Sequence, residues 1–393
     1  MTQHLMNTYS RQPVTFVKGQ GVWLWDDKGD QYLDALAGVA VNGLGHAHPK
    51  LVRAISEQVA KLIHVSNIYQ IAEQAALADK LAEISGMDKV FFCNSGCEAN
   101  EAAIKLARLY GHKKGIDNPE IIVMEQSFHG RTMATLSATG NRKTQAGFEP
   151  LVSGFVRVPF DDLDAIQAIA SRKNNVVAVL VEPVQGEGGV HIPVDVKAYF
   201  QGLRKVCDDN GWLFMLDEVQ SGIARTGTWF AFQHTDIIPD VMTLAKGLGS
   251  GVPIGACAAK GEAAELFSPG KHGSTFGGNP LATTAGLTTL TAIANENLRE
   301  NAQKIGDLIV ANLKTELANE KGVQMIRNAG LMIGIELDRP CAELVKMALE
   351  AKLLINVTAD KVVRLLPPLI MNEVEAKELV ARLSKLIKVF LQQ

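Results

Sequence analysis

The sequence lacks the marks of a secreted, membrane-spanning or zinc-binding protein. Its five cysteines are an odd number without framework spacing, which excludes a disulfide-stapled fold and favours a reducing compartment. Cys93 and Cys97 lack the second pair of ligands that a structural zinc site requires. No apolar run reaches the roughly 18 residues of a membrane span, and residues 1–7 contain no signal-peptide segment. We therefore expect a cytoplasmic protein that binds no membrane.

An excess of charge of one sign is also missing. The 393 residues include 39 Lys and Arg against 42 Asp and Glu, a formal net charge of −3. This balance provides no basic surface for nucleic acid, so we expect small-molecule substrates. Apolar residues make up 47% of the chain, and the length suits one large domain with a lesser one.

Short apolar runs alternate with amphipathic stretches over most of the chain. The runs predict buried strands at 90–92, 121–124, 176–181, 212–216 and 241–245. Their continuous hydrophobicity indicates that both faces of the sheet are covered, which is typical of a doubly wound α/β fold with a mostly parallel sheet. The amphipathic stretches predict helices at 98–110, 161–171 and 196–210, the last ended by Gly211.

The pattern changes after about residue 280. A long helical stretch, 281–318, precedes strand-like runs at 332–337 and 362–366 and then a terminal helix. This order predicts a separate, smaller α+β domain. The expected division is an N-terminal segment that packs with the small domain (1–45), a large cofactor-binding domain (46–280) and the small domain (281–393).

Chemically active side chains are expected beyond the carboxyl ends of the strands in such a sheet. Lys246 follows the run 241–245 directly and precedes Gly247. An amine at the mouth of an apolar strand is partly desolvated, which favours its neutral, nucleophilic form and suits Schiff-base chemistry with a carbonyl. Since most lone lysines are ordinary surface residues, the hypothesis depends on the neighbours of Lys246.

Two other strand ends carry polar motifs. Ser95 and Gly96 open a helix rich in alanine, whose free N–H groups and positive dipole end would receive a phosphate; a plain helix N-cap is the alternative. After the run 121–124, Phe128 could stack on a flat cofactor ring and Arg131 could bind a carboxylate through two nitrogens. Core packing and a surface ion pair are the respective alternatives.

Asp217 ends the apolar run 212–216, where a carboxylate is costly unless it is paired. A protonated pyridinium nitrogen would be such a partner, and the pairing would keep the ring positive as an electron sink. Metal ligation by Asp217 or Glu218 is the alternative, but no histidine with ligand spacing accompanies them. A lysine, an aspartate, a stacking ring and a phosphate-binding turn together predict a pyridoxal phosphate site.

These motifs also resemble those of a known family of enzymes. Residues 94–101, 128–131, 216–222, 245–247 and 273–280 are similar to segments of the class-III aminotransferases, which are fold-type-I pyridoxal phosphate enzymes. The resemblance covers nearly the whole chain in order, and it is strongest to the branch that acts on acetylornithine. It implies a large domain with a mostly parallel seven-stranded sheet, a smaller α+β domain, and a homodimer with active sites at the subunit interface.

The resemblance implies a role for each cofactor-binding residue. Lys246 forms the internal aldimine with pyridoxal 5'-phosphate and, once displaced, moves the proton. The other implied cofactor contacts are Asp217 (pyridine nitrogen), Gln220 (phenolic oxygen), Phe128 (ring stacking), and Ser95 and Gly96 (phosphate). Thr275 would reach the phosphate of the neighbouring subunit, and Ser274 would contact substrate across the same interface. Cys97 departs from the family pattern, because many members have threonine there.

The implied reaction moves the distal amino group of N2-acetyl-L-ornithine to 2-oxoglutarate, which gives N-acetyl-L-glutamate 5-semialdehyde and L-glutamate in arginine biosynthesis. By resemblance, Arg131 binds the α-carboxylate of acetylornithine or the side-chain carboxylate of glutamate, and Arg364 binds the α-carboxylate of glutamate. Glu187 would pair with Arg364 and hide its charge from acetylornithine. A loop acid beside glycines is the alternative for Glu187. By resemblance, Tyr69 is a further substrate-binding residue, and the loop 66–70 that contains it is similar to that of the acetylornithine branch.

Other functions stay open on the sequence. Succinylornithine, succinyl-diaminopimelate, ornithine and 4-aminobutyrate transaminases share the cofactor residues. Residues 247–251 lack the Gly-x-Gly-x-x-Gly spacing of a nicotinamide site, and residues 270–271 lack the upstream glycine of a P-loop. A non-catalytic binding protein of the same fold would have no need of the lysine, the aspartate and both arginines.

Overall fold

The computed structural model describes residues 4–393, and its elements are numbered along the chain. The strands are β1 (Phe16–Gln20), β2 (Trp23–Asp26), β3 (Gln31–Asp34), β4 (Lys89–Cys93), β5 (Glu120–Met124), β6 (Phe155–Val158), β7 (Val176–Val181), β8 (Leu213–Asp217), β9 (Val241–Leu244), β10 (Gly255–Ala259), β11 (Val323–Ala329), β12 (Met332–Leu337), β13 (Leu353–Leu354), β14 (Asn356–Thr358) and β15 (Val362–Leu365). The helices are α1 (Ala37–Ala40), α2 (Pro49–Lys61), α3 (Ala72–Ser85), α4 (Gly96–Lys113), α5 (Met133–Ala138), α6 (Arg142–Gln145), α7 (Leu163–Ala170), α8 (Val196–Asn210), α9 (Pro280–Asn295), α10 (Leu298–Glu316), α11 (Glu343–Glu350) and α12 (Glu373–Leu391).

The large sheet has seven strands in the order β4-β10-β9-β8-β7-β5-β6. Only β10 runs antiparallel to its neighbours β4 and β9, so the expectation of a mostly parallel sheet is confirmed. Every residue of β7 and β8 is buried, because helices cover both faces of the sheet. This double cover explains the continuous apolar runs of the sequence.

Most predicted elements are present, but the single helical stretch 281–318 is wrong. Two helices, α9 and α10, occupy this region, and Asn297 between them has φ 52°. Asparagine tolerates this left-handed conformation better than most residues, so it accommodates the break. The prediction of helix 196–210 is confirmed as α8, and Gly211 ends it at φ 63°.

Two smaller sheets lie at the ends of the chain. One has the order β11-β12-β15-β14, and α10 and α12 pack together beside it. The other joins β1, β2 and β3 to β13, which pairs parallel to β3 and comes from the C-terminal region. This pairing supports the division into 1–45, 46–280 and 281–393, which stays a proposal; residues 1–3 lie outside the described part.

The carboxyl ends of β4, β5, β7, β8 and β9 meet at one edge of the large sheet. Since loops after parallel strands carry the chemistry of α/β proteins, this edge is the place to look for a site. None of the helices within residues 4–393 combines the length and apolar character needed to span a bilayer.

Candidate active site

A cavity of about 430 Å³ opens at this edge, within the roughly 300–1,000 Å³ typical of small-molecule sites. Its walls come from the loops that follow β4, β5, β7, β8 and β9. Eight residues predicted from the sequence line it: Ser95, Gly96, Phe128, Arg131, Glu187, Asp217, Gln220 and Lys246. Among residues 4–393, no group of three or more His, Cys, Asp or Glu side chains could hold a metal ion.

Lys246 lies just beyond β9, and its backbone has φ 41°, a left-handed conformation that residues other than glycine rarely adopt. Strain of this kind persists only where the surrounding structure enforces it, and it is common at functional sites. Burial lowers the pKa of Lys246 from its usual 10.5, although the nearby charge of Glu187 opposes this effect. The lowered pKa increases the fraction of neutral, nucleophilic amine.

The N-terminus of α4 forms one end of the cavity. Ser95 is its N-cap, and Ser95 Oγ accepts a hydrogen bond from the backbone N–H of Glu98 at 3.2 Å. The first N–H groups of a helix have no intrahelical acceptor, and the dipole of this 18-residue helix adds positive potential. Gly96 packs so closely on Val219 that a Cβ would lie 2.6 Å from a valine methyl carbon, so glycine is required there.

Cys97 connects this helix to the loop that carries Arg131. Its Sγ accepts hydrogen bonds from the backbone N–H groups of Arg131 and Thr132, each at 3.3 Å. A Cβ on Gly130 would lie 2.6 Å from this sulfur. The Cys97 thiol therefore packs against Gly130 and helps to position the Arg131 loop.

Asp217 is surrounded by three donors. Its Oδ2 accepts hydrogen bonds from Asn100 Nδ2 at 2.8 Å and His129 Nδ1 at 2.7 Å, and its Oδ1 accepts one from Val219 N at 3.0 Å. Asn100 in turn accepts a hydrogen bond from Thr243 Oγ1 at 2.7 Å. Sequence reasoning assigned no role to Asn100 or His129, although both lie within the motifs that carry the family resemblance.

Sequence reasoning also assigned no role to Glu182, a buried acid directly after β7. It lines the cavity, and its Oε1 accepts a hydrogen bond from the backbone N–H of Phe128 at 2.8 Å. The Arg131 guanidinium carbon lies 5.6 Å from the centroid of the Phe128 ring. The segment that carries the aromatic ring and the arginine is therefore anchored to β7 through one carboxyl group.

Arg364 lies behind the cavity wall and is only 1% exposed. Its Nη1 donates to Glu187 Oε1 at 2.8 Å and to Gln220 Oε1 at 3.2 Å, and its Nε donates to Asn356 Oδ1 at 3.2 Å. Burial would raise the pKa of Glu187, but the charges of Arg364 and Lys246 outweigh burial and lower it. Glu187 is therefore an ionised partner of Arg364 within the described structure.

Tyr69, Ser274 and Thr275 lie outside the cavity lining of their own chain. The side chain of Tyr69 is 67% exposed and Thr275 is also exposed. Ser274 Oγ accepts a hydrogen bond from Nδ2 of Asn94, a lining residue, at 3.2 Å. The structure thus connects Ser274 to the cavity through Asn94 but does not bring these three predicted residues into it.

The lining residues fit pyridoxal phosphate. The N-terminus of α4 suits its phosphate, the hydrogen-bonded carboxylate of Asp217 suits its ring nitrogen, and Lys246 suits its aldehyde. The Phe128 ring offers a stacking face. The phosphate, ring nitrogen, aldehyde and ring face of pyridoxal phosphate thus each have a chemically suitable partner in the same cavity.

Comparisons with known proteins agree with this chemistry. The family model described as aminotransferase class-III matches residues 5–387. Acetylornithine aminotransferase of Nitrosomonas europaea is 63% identical over 389 residues, which are 99% of this chain and 98% of that protein. Acetylornithine aminotransferase 1 of Bordetella pertussis is 58% identical over 393 residues, which are 100% of both chains.

Solved structures of aminotransferases superpose on nearly the whole chain. The ornithine aminotransferase of Toxoplasma gondii has a TM-score of 0.95 at 32% identity and covers 100% of this chain and 94% of its own. The acetylornithine aminotransferase of Elizabethkingia anophelis has a TM-score of 0.89 at 36% identity, with 98% and 97% covered. With its motifs assembled in one cavity and relatives matched end to end, the chain belongs to the class-III aminotransferase family.

Proposed function

We propose that this enzyme transfers the distal amino group of N2-acetyl-L-ornithine to 2-oxoglutarate, with pyridoxal 5'-phosphate as cofactor. The products are N-acetyl-L-glutamate 5-semialdehyde and L-glutamate, a step of arginine biosynthesis. The identity of 63% and 58% to two acetylornithine aminotransferases supports this substrate. The observation that carries the proposal is the ion pair of Glu187 with buried Arg364, close to Lys246 and Arg131.

Two arginines serve two substrates that differ in their number of carboxylates. Arg131, on the cavity wall, binds the one carboxylate of acetylornithine and the side-chain carboxylate of glutamate. Arg364 binds the second carboxylate of glutamate. An unpaired, buried guanidinium is costly, so Glu187 neutralises it while acetylornithine occupies the cavity. The pair of Arg364 with Glu187 thus acts as an electrostatic switch between substrates.

Pyridoxal phosphate, when bound, supplies an electron sink for the negative charge that develops on the substrate carbon. Lys246 Nζ holds the cofactor first and later takes the proton from the carbon that bears the amine. Asp217, fixed by Asn100 and His129, would keep the ring nitrogen protonated. Phe128, on the cavity wall, would cover one face of the ring and exclude water from it.

Initial-velocity kinetics test this division into two half-reactions. Because each substrate meets the same cavity in turn, we expect parallel double-reciprocal lines when both substrates are varied. Intersecting lines would show that both substrates are bound at the same time. This would contradict the proposal that Glu187 and the substrate carboxylate pair with Arg364 in turn.

The choice of amine is tested by comparing kcat/KM for acetylornithine, succinylornithine, succinyl-diaminopimelate, ornithine and 4-aminobutyrate. We expect acetylornithine to be preferred, because its α-carboxylate meets Arg131 while Glu187 neutralises Arg364. A higher value for ornithine or 4-aminobutyrate would contradict the proposed substrate. These amines differ from one another by only a few contacts with the enzyme, and one such contact changes the free energy of binding by roughly 1–3 kcal/mol. The side-by-side comparison therefore decides which amine is preferred.

We infer that two copies form the active unit. Tyr69, Ser274 and Thr275 lie outside the cavity of their own chain, and Ile68 and Phe276 beside them are 86% and 61% exposed. A second copy would cover these apolar side chains and bring Thr275 to the phosphate of the neighbouring site.

Mixed dimers test this arrangement. A Lys246→Ala chain and a Thr275→Ala chain are each expected to be impaired as homodimers. In the mixed dimer, one cavity combines an intact Lys246 with an intact Thr275 from the other chain, so activity returns to about half of the wild-type value per dimer. No recovery would place Thr275 at the site of its own chain.

We also propose a cytoplasmic location. All five cysteines are free thiols, and four of them are buried without a disulfide partner. This supports a reducing compartment. Cell fractionation with an activity assay tests the proposal, and activity confined to an exported fraction would contradict it.

A further inference from the structure

Glu182 is a buried acid of the cavity to which the proposed reaction assigns no role. It follows β7 directly, and Asp217 ends β8, the adjacent strand of the sheet. Both residues line the cavity, and they are only 5% and 4% exposed. Two buried carboxyl groups side by side repel each other when both are ionised, so one of them is expected to hold a proton.

The number of donors decides which acid holds the proton. Asp217 accepts hydrogen bonds from Asn100, His129 and Val219, whereas Glu182 accepts one, from the backbone N–H of Phe128. Within residues 4–393, no other group donates to Glu182. Three donors offset more of the hydration that an ionised carboxylate loses on burial than a single donor does.

Glu218 provides an internal comparison, because it is 1% exposed and also adjoins Asp217. It has three donors, Ser221 Oγ and the backbone N–H groups of Ala231 and Phe232, and burial still raises its pKa to about 7. A carboxyl group with equal burial and fewer donors is disfavoured more strongly as an anion.

The acidic groups around Glu182 also favour its neutral form. Burial raises its pKa well above the usual 4.5, and so do the negative charges of Asp217 on β8 and Glu187 on its own loop. Lys246, after β9, and the Phe128 N–H oppose this rise but do not cancel it.

We propose that Glu182 is a positioning residue that acts as a neutral carboxylic acid, whose carbonyl oxygen anchors the Phe128 N–H and whose neutrality leaves Asp217 the only charged acid of the two strand ends. The identity of the bound ring rests on the proposed function. Through Phe128, Glu182 sets the position of the stacking ring and of Arg131, three residues further on.

Two substitutions of Glu182 in the holoenzyme separate anchoring from charge. Glutamine has the same shape, accepts the Phe128 N–H and carries no charge, so Glu182→Gln should retain at least about tenfold more kcat/KM at pH 7 than Glu182→Ala. In the alanine variant, the N–H loses its acceptor and KM rises for both substrates. Equal activity of the two variants, or a loss of more than about 100-fold in the glutamine variant with full cofactor content, would overturn the proposal.

The pH profile supplies a readout that a merely structural role would not change. Wild-type kcat/KM should fall at alkaline pH as Glu182 loses its proton beside Asp217, and Glu182→Gln should lack this loss. Superimposable profiles would overturn the proposal. Glu218→Gln is the matched control, because its carboxyl group is buried beside Asp217 but lies outside the cavity lining. It should lower Tm and keep the alkaline fall of the wild-type profile, because Glu218 titrates near pH 7, and loss of that alkaline fall would also overturn the proposal.

A titration without substrate separates this proposal from the proposed reaction. The visible absorbance of bound cofactor should change with pH in one more step in the wild-type holoenzyme than in Glu182→Gln. If this difference is seen without turnover of acetylornithine, the substrate is wrong and the role of Glu182 stands. If turnover occurs and the two titrations coincide, the role of Glu182 is wrong and the reaction stands.

Discussion

Replacing Glu187 by glutamine should impair one half-reaction and spare the other. The substitution removes the charge that faces Arg364 Nη1 at 2.8 Å and keeps the size of the side chain. With acetylornithine bound, Arg364 then stays buried at 1% exposure with only the neutral acceptors Gln220 and Asn356. With glutamate bound, the α-carboxylate of the substrate supplies the missing charge.

The size of the effect follows from one charged hydrogen bond. Such bonds contribute roughly 1.5–3 kcal/mol, and the lower end applies because the Glu187 side chain is 37% exposed and partly screened by solvent. About 1.5 kcal/mol corresponds to about tenfold in rate. We therefore expect kcat/KM for acetylornithine to fall about tenfold, and kcat/KM for glutamate to change by less than about threefold.

Single-turnover absorbance of the bound cofactor measures each half-reaction separately. Glu336→Gln is the matched control, because Glu336 on β12 pairs with Arg327 on β11 at 2.8 Å and does not line the cavity. This variant should leave both half-reactions unchanged. An equal loss in both half-reactions of Glu187→Gln would refute the view that the Arg364 pair distinguishes the substrates.

Other predictions follow from the same geometry. Burial lowers the pKa of Lys246, so the rate at which apoprotein captures pyridoxal phosphate should have a pH midpoint below 10.5; a midpoint at or above 10.5 would contradict this. His129→Leu removes one donor to Asp217 and should weaken cofactor affinity by about tenfold in a fluorescence titration, and unchanged affinity would count against the role given to His129. Glu218 has its pKa raised to about 7, so the folded protein holds this proton more tightly than the unfolded chain does. Its contribution to the free energy of unfolding should therefore decline by about 3 kcal/mol as pH rises from about 4.5 to about 7. Urea unfolding of Glu218→Gln should lack this decline, and equal pH dependence in both proteins would contradict it.

Strand ends made the centre of the site predictable from the sequence. Asp217 and Lys246 each follow a continuous apolar run, and a polar residue in that place is visible without knowledge of the fold. The parallel sheet then brings the two strand ends to one edge, as its topology requires. The roles given to the individual side chains stay predictions, since family resemblance carries them.

The supporting residues could not be predicted, because they approach through tertiary structure. His129 and Asn100 meet Asp217 from 88 and 117 positions away in the chain. Glu182 does follow the apolar run 176–181 directly, as Asp217 follows 212–216, but only the donor count and burial show how the two acids differ.

Two strands of the large sheet, β6 and β10, were also missed. β10 consists of glycine, alanine and cysteine, which give little local preference for a strand. It forms because it pairs with β4 on one side and β9 on the other, and small side chains suit this buried position.

The central claim is that the Lys246 cavity takes an amino group from acetylornithine and delivers it to 2-oxoglutarate. The most direct test mixes holoenzyme with acetylornithine alone and measures the semialdehyde released. We predict one semialdehyde per active site and no further release until 2-oxoglutarate is added, when an equal amount of glutamate forms. Continuous release without 2-oxoglutarate, or none with both substrates present, would contradict the account.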